Sequence, residues 1–182
     1  MPRRPLALVS LAALALLAGA CGGGGDAGGN RYEDDGAPFT FRYPGDLSEV
    51  ALSAKEIRGR EPVWRTAIGV DAENAVTVAT YKLAQPIEQY DQATFLRTLD
   101  RTVRALARPQ KLSPGERKDA KLGALAGWSY ELKDQDVVVQ RLTFAFRGQQ
   151  QLFVRCAWED DPELQKQVTA ACDQVASSVA LR

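Results

Sequence analysis

The 182-residue chain contains no histidine. That removes Ser-His-Asp and Cys-His nucleophilic arrangements, histidine metal ligands and histidine general bases together. There is no Gly-x-Ser-x-Gly, no P-loop and no Rossmann glycine fingerprint, because the one glycine-dense tract, residues 22–29, has no strand ahead of it. Sulfur is scarce, with three cysteines and one methionine. Charge has no bias, at 23 basic and 23 acidic residues, so the chain lacks the basic footprint of a nucleic-acid binder. Long apolar runs are missing from everything except the N-terminus.

That exception is informative. Arg3 and Arg4 precede an almost uninterrupted apolar stretch over residues 6–20, followed at once by glycines. A positive head, a short apolar run and small residues at its end make an export signal. A membrane-spanning helix needs about 20 apolar residues, more than this run supplies. The signal is therefore read over residues 1–20. Ala18, Gly19, Ala20 and Cys21 stand directly behind Leu16 and Leu17. This arrangement resembles the lipobox of bacterial lipoproteins, with Ala18 where that family most often has leucine. The resemblance implies that Cys21 becomes the lipid-modified, palmitate-bearing N-terminus after cleavage. Twin arginines leave both the Sec and the Tat routes open. Residues 21–37 then read as a lipidated N-terminus and glycine-rich flexible tether, and two or more acyl chains suffice for stable anchoring. The expected address is the cell membrane, lipid-anchored, on the extracytoplasmic side.

Residues 38–182 have the size of one domain with its own core and show no internal repeat. "APFTFRYPG" alternates Phe39, Phe41 and Tyr43 before a Pro-Gly stop. Two strands follow near residues 63–70 and 75–83, joined by a turn at "DAEN". In "QYDQATFLRTLDRTVRALARP", Asp91 caps a helix whose Leu96, Leu99, Val103 and Leu106 recur at helical spacing until Pro109 stops it. Strands return near residues 116–122, 127–133, 137–147 and 150–158, and the tight joins "DQD" and "RGQQ" make this half an antiparallel meander. The order is β-β-β-α-β-β-β-β-α.

The other two cysteines fit an oxidising address. Cys156 shares one strand face with Leu152, Val154 and Trp158. Cys172 lies on a helical stripe with Leu164, Val168, Val175 and Val179, behind the capping Asp161 and Pro162 at the first helical position. A Cys156–Cys172 disulfide is expected, contributing about 3 kcal/mol for a loop of this length. Two buried free thiols are the alternative.

The body resembles the Mog1/PsbP-like fold. The residues that carry this are the opening "FTFRYP", the middle helix, "GALAGWSYEL" entering the meander and the final "VASSVALR". Exported members include lipoproteins of the LpqN/LpqT type. The resemblance implies an α+β fold, an antiparallel β-sheet flanked by helices in an αβα sandwich. It also implies accessory, assembly or binding roles more often than catalysis, and it carries over no site residues.

Chemistry-bearing candidates are few. Glu159, Asp160, Asp161 and Glu163 cluster at the last strand-to-helix corner, where carboxylates favour a helix N-terminus and a calcium site is the alternative. No catalytic residue, metal ligand or cofactor is assigned. Residues 55–65 and 111–121 are mixed-charge segments that read first as solvated surface, with partner-facing loops as the alternative. Among the tryptophans, Trp128 and Trp158 read as core, while Trp64, beside Arg65, is the candidate interface anchor. The function expected is a non-catalytic binding or accessory module of the envelope. Its partners are the membrane through the anchor and an envelope protein or apolar lipid ligand, with no nucleic acid. A purely structural envelope component is the first alternative, and a carboxylate-dependent enzyme the second.

Overall fold

The computed structural model describes residues 29–52 and 61–182; Cys21 and most of the 55–65 segment lie outside them. The strands are β1 (Gly29–Tyr32), β2 (Phe39–Pro44), β3 (Ser48–Glu49), β4 (Trp64–Gly69) and β5 (Ala75–Lys82). The helix α1 (Gln92–Ala107) is followed by β6 (Ser113–Pro114), β7 (Lys118–Leu122), β8 (Leu125–Asp134), β9 (Val137–Arg147) and β10 (Gln150–Ala157). The chain closes with α2 (Pro162–Ser178) and β11 (Ala180–Leu181). This is the expected α+β order with four short strands added.

The main sheet has the order β3-β4-β5-β10-β9-β8-β6, with β7 also on β8, and every pairing is antiparallel. The meander forms because its joins accept tight geometry. Gln135 and Gly148 both turn with positive φ, and Asp71 Oδ1 accepts from the backbone N–H of Glu73 and Asn74 at 2.9 and 2.8 Å to close the β4–β5 turn. Those bonds hold the Asp71 carboxyl below the usual range.

Alternation along the central strands gives the sheet two apolar faces. Val76, Val78, Leu152, Val154, Cys156 and Trp158 face one way, against Val168, Ala171, Cys172 and Val175 of α2. Ala79, Tyr81, Leu142, Phe144 and Phe153 face the other, against Leu99, Val103 and Ala107 of α1. Both helices start as expected. Asp91 accepts from Thr94 N–H at 2.9 Å, and Asp161 accepts from Glu163 and Leu164 N–H at 2.9 and 3.0 Å. Cys156 and Cys172 are joined by a disulfide whose Cα atoms lie 5.9 Å apart. It pins α2 onto the middle of the sheet, between residues that are each 1% exposed.

The domain boundary needs correction. Residues 29–37 belong to the folded body, because β1 pairs with β2 from Gly29↔Pro44 to Tyr32↔Phe41. The Tyr32 ring stacks 4.8 Å from Phe41 and is buried. The single aromatic of that stretch is too little periodic signal to mark a strand in sequence. At the other terminus β11 pairs with β2, making a three-stranded sheet, β1-β2-β11, that lies beside α2 over the same face. Gly127 marks a close approach, since a Cβ there would collide with the Phe144 carbonyl oxygen across β9.

Replacing both cysteines of the disulfide by alanine is expected to lower unfolding free energy by about 3 kcal/mol with the native circular dichroism retained. Urea unfolding of the double variant beside the parent measures it, and an unchanged midpoint would contradict the pinning role.

Candidate binding clefts

Helix α1 does not cover its face of the sheet completely. Its fully buried residues, Leu99, Val103 and Ala107, begin at mid-helix, and its first turn meets the sheet through Phe95, edge-on to Phe146 of β9. The space left is a half-open cleft of about 280 Å³. Leu83, Leu99, Phe144 and Phe146 line it from the core side. Tyr90 and Phe95 close one end, and Gln151 and the threonines Thr94, Thr98 and Thr102 complete the walls. No lining side chain is charged. Two hydroxyls are committed to the helix itself: Thr98 Oγ1 donates to the Thr94 carbonyl at 2.9 Å and Thr102 Oγ1 to the Thr98 carbonyl at 3.0 Å. Thr94 Oγ1 accepts from Arg97 at 2.9 Å.

Rings surround this space. Phe95 meets Phe146 edge-on at 5.0 Å and Tyr90 at 5.4 Å. Trp128 lies 6.1 Å from Phe95 and 5.9 Å from Phe146. These are the tilted geometries that aromatic quadrupoles favour. Trp128, expected in the core, is a half-buried member of this cluster. The leucine and valine stripe of α1 marks the helix's buried side and leaves the cleft unmarked. Its signal was the threonine repeat at i, i+4 and i+8 together with Phe144 and Phe146.

A second cleft, of about 460 Å³, opens at the other end of the same face and is polar. Buried Gln140 donates through Nε2 to Gln110 Oε1 at 2.7 Å, and its Oε1 accepts from Arg155 Nε at 3.1 Å. Glu73, Asp134, Glu159 and Asp160 also line it. All four are exposed. Among the described residues, no group of three or more histidine, cysteine or carboxylate side chains is placed to hold a metal. Asp161 is engaged as the α2 cap.

One polar tie fastens α1 to the sheet. Asp100 Oδ1 accepts from the Tyr130 hydroxyl at 2.6 Å and from Arg117 Nη1 at 2.7 Å. Desolvation works against the Asp100 carboxylate, but these two donors outweigh it and hold its pKa below the ordinary value. Burial, then the bond to Asp100, pushes Tyr130 well above the usual phenol.

The expected interface pair is split by the strand. Trp64 opens β4 opposite Thr80; its ring packs against the α2-side core and over Gly36, half-buried. Its indole N–H is buried without an acceptor among the described residues. Arg65, the next residue, is exposed and directed to the opposite face. The two do not form one continuous surface. Trp158 is core as expected, 5% exposed, its N–H donating to the Val138 carbonyl at 3.0 Å.

The solution structure of cyanobacterial PsbP (CyanoP) from Synechocystis sp. PCC 6803 superposes over 91% of this chain and 99% of its own, with a TM-score of 0.57 at 15% identity. The fold is PsbP-like. A crystal structure from Bacteroides thetaiotaomicron shows a looser likeness, with a TM-score of 0.46 at 12% identity over 85% of this chain and 48% of that one. No family model matches the sequence and no curated protein matches it. At this identity the likeness concerns backbone architecture.

Because Asp100 titrates lower when folded than unfolded, its contribution is present above about pH 4 and lost as pH falls through the folded value. Asp100→Asn is expected to cost about 1 to 2 kcal/mol at pH 7. The difference from the parent should shrink below pH 4. Urea midpoints across pH 3 to 7 measure this, and a pH-independent difference would contradict the assignment.

Proposed function

We propose that this chain is an exported lipoprotein of the LpqN/LpqT type. It is anchored through Cys21 to the extracytoplasmic side of the cell membrane, and its PsbP-like domain works as a non-catalytic binding or accessory module. The observation that carries the anchoring is the lipobox-like Ala18-Gly19-Ala20-Cys21 placed just ahead of the folded body. With β1 starting at Gly29, the covalent link from Cys21 is short. At about 3.5 Å per residue it holds the start of β1 within roughly 30 Å of the anchor.

The aromatic cleft supports binding over a purely structural role. An apolar concavity with a few polar groups is the usual form of a ligand site, and a structural component has no need of one. The catalytic alternative has less support, because the carboxylates that gather do so at an exposed rim. A protein partner or an apolar ligand of the envelope is the expected client, and the membrane is reached through the anchor.

Expressed from the full gene, the protein is expected to partition into detergent and to yield an acylated N-terminal peptide beginning at Cys21 by mass spectrometry. The Cys21→Ser form should appear in the aqueous phase. A parent protein recovered in the aqueous phase with an unmodified residue 21 would contradict the anchor.

A further inference from the structure

Resting on the binding-module reading above, we infer that the cleft beneath the first turns of α1 is a site for a small uncharged aromatic ligand, of one or two fused rings. Three observations set that chemistry. The lining carries no charge, so a charged group placed there would lose its hydration with no counter-ion to replace it. The threonine wall is already committed, through Thr98 and Thr102 to helix carbonyls and through Thr94 to Arg97, so it offers little to a strongly polar ligand. Size and shape follow from the rings. An apolar cavity of about 150 Å³ holds benzene, and this cleft has about 280 Å³. Phe95, Phe144 and Phe146 line it, and the existing ring pairs at 5.0 and 5.4 Å give the spacing at which a further ring would sit. Gln151 and Tyr90 supply the polar groups that would orient a substituent such as a carbonyl or hydroxyl.

The probe is 6-propionyl-2-(dimethylamino)naphthalene, an uncharged two-ring ketone whose emission shifts to the blue in apolar surroundings, titrated against the full chain as its soluble Cys21→Ser form. Saturable one-to-one binding is expected. Thr98→Glu places a charge in the wall at an exposed helical position and should weaken binding at least tenfold. Gln165→Glu, exposed on α2, should leave it unchanged, and equal circular dichroism of the three proteins shows that each is folded. Absent or non-saturable binding, or equal weakening by both variants, overturns the inference. So does displacement of the probe by 1-decanol but not by naphthalene, which would assign the cleft to alkyl chains. If the cleft fails while an envelope client still co-purifies with the anchored protein, the binding-module reading survives. If no client is found either, both fall.

Discussion

The pairing of β5 with β10 and of β10 with β9 is the constraint on which the rest of the structure depends. These strands lie in the middle of the sheet, and their alternation makes both faces apolar, so neither can be left to water. At about 25 cal/mol for each Å² of apolar surface removed from water, an uncovered face would forfeit more than the few kcal/mol by which a domain is stable. Everything else covers those faces. α1 takes one, and α2 with the β1-β2-β11 sheet takes the other.

The two coverings are unequal. The α2 side is closed: a disulfide fixes the helix to β10, the aromatic stack of Tyr32, Phe39 and Phe41 fills the space beside it, and β1 and β11, the first and last strands among the described residues, both pair with β2. The α1 side is held by buried leucine and valine and by the Asp100–Tyr130–Arg117 tie near the middle of the helix. Its first turn meets the sheet through Phe95 on Phe146, and the aromatic cleft lies beside that contact. One face therefore secures the fold while the other keeps an opening, a division suited to a domain that binds.

Much of this was legible in the sequence, for physical reasons. Alternating Leu152, Val154, Cys156 and Trp158 mark one core-facing side of a strand, and Asp161-Pro162 marks a helix start, so a disulfide between two adjacent elements was legible. The strands that escaped notice are those whose order comes from their neighbours. β3, β6 and β11 have two residues each, and β1 has Tyr32 as its only large apolar side chain. The half-burial of Trp64 was hidden because it packs on residues distant in sequence, the α2-side core and the backbone at Gly36. The cleft was hidden for a related reason: a gap between elements is a property of how far a helix stands from a sheet, and periodicity reports only which side of the helix is apolar.

The central claim is that binding uses the α1 face while the α2 face is structural. Amide hydrogen exchange of the proposed lipoprotein with a co-purifying client, compared with the client-free chain, tests it most directly. The account predicts added protection confined to residues 83–102 and 144–151, with α2 and the small sheet unchanged. Protection appearing instead in α2, in β1 and β2, or around Trp64 would contradict it.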